Sequence, residues 1–285
     1  MPDGSRLSGV VVGPHRGRDV TLPITARLLS LSSAQGGGQP AARVVVTEPA
    51  FWTPDLPNLY RLHARLECPG IEPQEIDTTF GLRRFGVRGR SFWLDGRRWV
   101  LRGVSGSGDA AAAKQAGVGL VTADPADPLL SEADRIGVAV VALLGWSDMT
   151  ATRIAALARH PSVLMAMVVD RERPEQPGVA EAEVRRAKDT LQIGLATTVG
   201  PPDTTRAGAF DFLAVIVPAG TSPDEAWRNP LLPPLVAWQA RSAVGMPVAR
   251  AACSDLQRDL AAWGLEGVTE RAAWDWAGYV VGPAE

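Results

Sequence analysis

Through residue 98, apolar and polar positions alternate in short runs: Leu7–Val12, Ala26–Leu31, Ala42–Thr47, Tyr60–Glu67 and Glu75–Phe80. Clusters of Gly, Pro, Ser and Asp separate them. This period-two pattern predicts half-buried strands in an antiparallel β-sandwich. Ser32–Gln39, with three consecutive glycines, predicts a hairpin or open connection. It does not lead from a strand into a helix, as a phosphate-binding loop would.

From Trp99 onward the pattern changes. Nearly continuous apolar runs predict strands at Trp99–Val104, Gly119–Ala123, Ala139–Leu144, Val163–Val169, Ile193–Thr198, Phe212–Val217, Pro247–Ala252 and Ala273–Val281. Helical segments are predicted between them at Ala110–Ala116, Leu129–Ile136, Thr150–Arg159, Val179–Leu191, Leu235–Val244 and Leu256–Trp263. Strands this apolar require a sheet covered on both faces. Eight of them interleaved with helices predict a compact α/β (β/α)8 barrel of TIM type, with an open doubly wound sheet as the alternative. The expected domains are a sandwich over 1–98 and a barrel over 99–285.

Composition narrows the function classes. Hydrophobic residues make up 46% and charged residues 21%, which fits a globular protein with ample core. A net charge of -2, with no evident basic run, argues against a nucleic-acid partner. Cys68 and Cys253 are far apart in the chain and are expected to be reduced thiols in a reducing compartment. Met1–Arg6 lacks the basic and apolar regions of an export signal, and the longest apolar stretch, Gly137–Gly145, is too short to span a bilayer. A soluble, cytoplasmic protein without a transmembrane segment is the expectation. His15, His63 and His160 are scattered, so neither a metal nor a cofactor is expected.

Several motifs share one origin. Glu48-Pro49-Ala50-Phe51-Trp52-Thr53-Pro54-Asp55-Leu56-Pro57-Asn58-Leu59-Tyr60 resembles the P-x-x-W-[ST]-P-D-x-P-x-L-Y run in the immunoglobulin-like domain of family 2 glycoside hydrolases, the β-galactosidase and β-glucuronidase clan, which implies that the N-terminal sandwich is immunoglobulin-like. Phe80-Gly81-Leu82-Arg83 is similar to their F-G-[FL]-R element. Phe92-Trp93-Leu94-Asp95-Gly96-Arg97-Arg98-Trp99-Val100-Leu101-Arg102-Gly103-Val104 is similar to F-x-L-N-G-[KR]-P-[VI]-x-L-[RK]-G-V, which leads into the first barrel strand. Read physically, Asp95-Gly96 is a hairpin signal, and Trp52 and Tyr60 are amphipathic rings suited to a domain boundary. Further on, His160-Pro161-Ser162-Val163 and the apolar run to Asp170-Arg171 resemble N-H-P-S-[apolar]-W-S-x-G-N-E, the strand that ends in the family's acid/base glutamate.

At the positions that carry the chemistry, the resemblance implies loss. Retaining glycosidases use two carboxylates about 5–5.5 Å apart. Arg171 stands where the acid/base glutamate belongs, and a guanidinium stays protonated at any working pH. Aligning Met246–Ser254 with the nucleophile motif [KR]-P-[IV]-x-x-[ST]-E puts Ala252 at the nucleophile position, and a methyl group cannot attack. Thr122 falls near the family's second-strand arginine, Ser105-Gly106-Ser107-Gly108 replaces a polar cluster, and Ala166 replaces the fourth-strand tryptophan. The substitute carboxylates are Glu172, Asp211 and Glu270. Cys253 has no histidine nearby in sequence to activate it and is expected to be structural. Trp263, Trp274 and Trp276 cluster near the C-terminus, as core packing or as the remnant of a sugar platform. At 187 residues from Trp99 to Glu285, the barrel is below the roughly 200 residues at the lower end for this fold, which leaves little loop for a sugar pocket.

The function expected on these grounds is a non-catalytic, glycosidase-like pseudoenzyme: a scaffold or accessory subunit that docks onto a protein partner or larger assembly. The alternatives are a divergent retaining glycosidase acting on β-glycosides through Glu172 with Asp211 or Glu270, and a non-catalytic carbohydrate-binding protein.

Overall fold

The structure is a computed structural model and describes residues 5–17, 22–31, 41–169, 191–198, 200, 207–229, 231–265 and 276–284. By its internal contacts the chain divides into Met1–Arg83 and Arg84–Glu285.

The first unit is antiparallel. Strands β1 (Arg6–His15), β2 (Ile24–Arg27), β5 (Leu59–Cys68) and β6 (Ile71–Phe80) form a sheet in the order β2-β1-β5-β6, and β3 (Leu29–Leu31) pairs with β4 (Ala41–Arg43). Alternation sets the faces. Tyr60 and Ala64 are buried with Val11, whereas Arg61, His63, Arg65 and Glu67 point to solvent. Across the strand pair, Arg61 lies opposite Asp77 and Arg65 opposite Glu75, and both pairs form salt bridges. The proline-rich run of residues 49–58 is fastened inside this unit. The Tyr60 hydroxyl accepts from Ala50 N at 2.9 Å, its ring stacks on Phe80 at 5.8 Å, Asn58 Nδ2 donates to Phe51 O at 2.9 Å, and Trp52 N donates to Leu82 O.

The second unit is a closed, all-parallel barrel of eight strands. They are β10 (Leu101–Ser105), β11 (Gly119–Ala123), β12 (Val140–Leu144), β13 (Val163–Val169), β14 (Gln192–Thr198), β15 (Phe212–Pro218), β16 (Leu235–Ala240) and β17 (Gly278–Gly282), with β17 pairing back onto β10. The helices described are α1 (Ala110–Ala116), α2 (Asp127–Ile136), α3 (Ala151–Ala158) and α4 (Met246–Leu265). Local chemistry sets their ends. The Asp109 carboxylate accepts from Ala111 N and Ala112 N at the start of α1, and the Thr150 hydroxyl accepts from Arg153 N at the start of α3. Gly117 and Gly137, both at positive φ, close α1 and α2.

Outward-facing strand residues such as Leu120, Ala142 and Val168 join one apolar cluster with Ala113, Leu130, Ile154, Leu157 and Leu256 of the helices. The alternate residues Val121, Val141, Met165, Ala214, Val236 and Val280 lie outside that cluster, are at most 1% exposed, and fill the bore. The eight-stranded closure predicted from the apolar runs is observed. Its seventh strand is a different segment from the one expected. Leu235–Ala240, read as part of a helix, is β16, and Pro247–Ala252, read as a strand, is the first part of α4. Helix Val179–Leu191 lies almost entirely outside the described residues.

The segment before the barrel packs on it. Strands β7 (Phe85–Arg88), β8 (Ser91–Leu94) and β9 (Arg97–Trp99) form an antiparallel sheet, with Asp95 and Gly96 both at positive φ in the β8–β9 turn. Phe92, fully buried, meets the Phe212 ring edge-on at 5.4 Å, and Phe85 and Trp99 pack around it. Phe212 is the first residue of β15, so this hairpin stops the N-terminal mouth of the barrel. That contact places residues 84–98 with the barrel and moves the division from Arg98/Trp99, the expected boundary, to Arg83/Arg84.

Glycine makes room for the stopper. A Cβ added to Gly194 would lie 2.2 Å from the Phe212 ring. Gly194→Ala is therefore expected to lower stability by about 1–3 kcal/mol. Phe212→Leu is expected to be destabilising alone yet to recover part of that loss in the double variant. Urea denaturation measures all three, and strictly additive losses would show that the close approach is not the cause.

Candidate functional site

In a (β/α)8 barrel, chemistry is built at the C-terminal ends of the strands. The end of β16 is where a second carboxylate would be needed, and none is present. From Leu235 to Ser254 the chain contains no Asp or Glu. Leu235 and Ala237 of β16 join the helix-side cluster, so Val236 and Trp238 alternate into the bore. Trp238 is completely buried, and its indole N–H donates to Gly282 O at 3.4 Å. A large ring therefore occupies the upper bore beside the last strand. The neighbouring strand ends are closed together by Ser105, whose hydroxyl donates to Pro283 O at 2.6 Å.

This changes the assignment of Ala252. It lies on α4, away from any strand end, because the buried positions Ala249, Ala252, Cys253, Leu256, Leu260 and Trp263 recur at helical spacing. Pro247 misled the strand reading, since a proline in the first turn of a helix forfeits no internal hydrogen bond. Transferred to β16, the nucleophile frame runs Pro234-Leu235-Val236-Ala237-Trp238-Gln239 and sets Gln239 at the glutamate position. Gln239 is half-buried, and its side-chain oxygen accepts from Arg241 at 3.1 Å. Its amide carries no charge and cannot serve as a carboxylate nucleophile. Trp238 and Gln239 were not singled out from the sequence. Pro233-Pro234 before a short apolar run was the signal that could have found them.

The other expected site residues separate. Asp211 precedes β15, at the N-terminal face. Its Oδ2 accepts from Ile193 N at 2.8 Å while its own N donates to Ile193 O, so it clasps the starts of β14 and β15. That placement removes it as a partner for chemistry at the opposite face. Arg171, Glu172 and Glu270 lie outside the described residues, as do Asp170 and Trp274. Thr122 is half-buried on β11, and Ala166 is buried on β13 against the helices. Among the described residues, four acidic groups after the barrel strands serve local structure. Asp109 caps α1, Asp124 pairs with Arg153, Asp148 accepts from Gly145 N, and Asp224 accepts from Ala226 N.

His160 supports the entry to β13, as expected. Its Nδ1 lies 2.7 Å from Asp134 Oδ2, and the other carboxylate oxygen accepts from Ser162 N at 2.9 Å. Trp263 and Trp276 are buried and pack together at 5.9 Å with the Arg228 guanidinium over Trp263, which is core packing. Among the described residues no group of three or more His, Cys, Asp or Glu could hold a metal, and no helix is long and apolar enough to cross a membrane.

Residues 18–83 match the family model described as glycosyl hydrolases family 2. No curated protein sequence matches the chain. Among solved structures, a family 2 glycosyl hydrolase member from Bacteroides cellulosilyticus superimposes with a TM-score of 0.64 at 16% identity, covering 98% of this chain and 41% of that one. The Parabacteroides merdae β-glucuronidase gives 0.61 at 14% identity, covering 97% and 43%. The β-D-glucuronidase of Dictyoglomus thermophilum gives 0.60 at 15%, covering 99% and 58%. Residues 18–83 are thus similar to family 2 glycosyl hydrolases, and the chain shares with these solved structures a fold that combines antiparallel sheets with a closed eight-stranded TIM-type barrel. It spans between 41% and 58% of the length of these solved structures.

Both cysteines are free thiols. Cys253 is buried on α4, where it donates to Gly103 O, and burial pushes its pKa up to about 11. A thiol so raised stays protonated and unreactive through neutral and mildly alkaline pH. Iodoacetamide at mildly alkaline pH is expected to label the half-buried Cys68 and to spare Cys253 until the protein is unfolded. Peptide mapping by mass spectrometry reads this out, and native labelling of Cys253 would contradict its burial.

Proposed function

We propose that this protein is a non-catalytic, glycosidase-like scaffold that docks onto a protein partner. The observation that carries this reading is the end of β16: Trp238 fills the upper bore, and no carboxylate occurs from Leu235 to Ser254. The retaining mechanism needs two carboxylates facing one bond. Arg171 at the acid/base position and Gln239 at the re-registered nucleophile position both support the reading, since one cannot give up a proton and the other carries no charge. The placement of Asp211 at the opposite face weakens the divergent-hydrolase alternative. Two free thiols fit residence in a reducing, cytoplasmic compartment.

Purified full-length protein is expected not to turn over aryl β-glucuronides, β-galactosides or β-mannosides above the uncatalysed rate, measured by release of the fluorescent aglycone over hours. Turnover that disappears in Glu172→Gln would overturn the proposal and place the acid/base group one residue after Arg171. Binding to a glycan array without turnover would move the assignment to a carbohydrate-binding protein.

A further inference from the structure

Between Arg83 and Arg102 the chain carries seven arginines and one acidic residue, Asp95, in a protein whose net charge is -2. Three of the seven, Arg88, Arg97 and Arg98, lie on the strands of the β7–β8–β9 sheet, and Arg90 lies in its first turn. The inner face of that sheet, Phe85, Phe92 and Leu94, stops the barrel. Strand alternation sends the intervening residues outward. The register sets Trp93 opposite Gly86 on one side and Arg98 on the other, with Arg88 opposite Ser91.

We propose that this outer face is a docking surface for an acidic segment of a partner protein, with Arg88 and Arg98 gripping carboxylates on either side of Trp93. A docking role for this face rests on the non-catalytic reading given above and names the partner's chemistry. The Arg88 guanidinium carbon lies 4.7 Å from the Trp93 ring centroid. Stacking of this kind engages the flat face of a guanidinium and leaves its in-plane N–H fork suited to bidentate capture of a carboxylate. Arg88 and Arg98 are exposed, and Trp93 is half-buried. Gly86, opposite Trp93 in the register, carries no side chain, and the space above it is open, since a Cβ there would meet nothing within 4 Å. Arg98 also departs from the family frame quoted above, which has proline at that place.

Charge and size choose between polyanions. Nucleic-acid binding draws on roughly 6–10 phosphate contacts spread along a basic stripe. Here the face is three strands of three or four residues, in a chain of pI ≈ 6.0. A short acidic peptide needs only a few local pairs and fits that footprint.

The test uses full-length protein and a fluorescein-labelled polyglutamate peptide of about 20 residues, read by anisotropy, with a single-stranded DNA oligonucleotide of equal charge as the competing class. Polyglutamate is expected to bind at low salt and to weaken as salt rises. Arg88→Glu with Arg98→Glu is expected to weaken it at least about tenfold, and Arg88→Lys several-fold, because lysine keeps the charge and loses the fork. Should the double variant fail to fold by circular dichroism, Arg88→Gln alone provides the comparison, with several-fold weakening expected. Arg135→Glu and Arg258→Glu, exposed on other elements, are expected to leave binding unchanged. No binding at low salt, unaltered binding by the Arg88 variants, or tighter binding of the oligonucleotide would overturn the assignment. Aryl glycoside turnover would instead sink the non-catalytic reading and leave the peptide measurement standing, so the two failures are told apart.

Discussion

A closed eight-stranded barrel has a bore of fixed width, and the side chains that point into it must fill it. The rest of the barrel unit depends on how that filling is done here. At one end Phe212 takes the space that Gly194 vacates and receives Phe92 edge-on. In the middle, Val121, Val141, Met165, Ala214, Val236 and Val280 are sealed from solvent. At the other end Trp238 lies across the strand ends, fixed by its bond to Gly282. These side chains are apolar, and Ser105, at the end of the first barrel strand, is engaged by Pro283 O.

The same constraint separates scaffold from chemistry. The groups that hold the barrel closed, such as the Asp211 clasp and the Asp134–His160–Ser162 bridge, act at the N-terminal ends of the strands. Those at the C-terminal ends cap helices or pair across the surface. Carboxylates are present at both faces, and Asp109, Asp124, Asp134, Asp148, Asp211 and Asp224 each serve the backbone or a neighbouring ion. In a barrel of this kind stability and reactive groups belong to different ends, so either can change without the other.

Most of the architecture was legible in the chain. The apolar runs at 119–123, 139–144, 163–169, 193–198 and 212–217 became strands because only a sheet covered on both faces buries such runs. The seventh strand was not. Leu235–Ala240 and Pro247–Ala252 are equally apolar, and their neighbours decide between strand and helix. The helical spacing of Ala249, Cys253, Leu256, Leu260 and Trp263 was the stronger signal, and Pro247 obscured it by being compatible with a helix's first turn. The nucleophile motif was aligned to that mistaken segment, and β16 is likewise free of acid. The plug was illegible for another reason. Residues 85–99 alternate like any edge hairpin, and nothing local says that Phe92 will meet a ring 120 positions later.

That distance bears on how the protein is made. The stopper hairpin leaves the ribosome before the first barrel strand, but its aromatic partner arrives on the sixth, and the first strand gains its second neighbour only when Gly278–Gly282 has been synthesised. An emerging chain therefore carries Phe85, Phe92 and Trp99 uncovered for most of its synthesis. Contacts of such long sequence separation form slowly and late, and they tie the two ends of the barrel unit into one cooperative event. The aromatic cap that ends as the most sheltered part of the molecule is, during translation, its most adhesive surface.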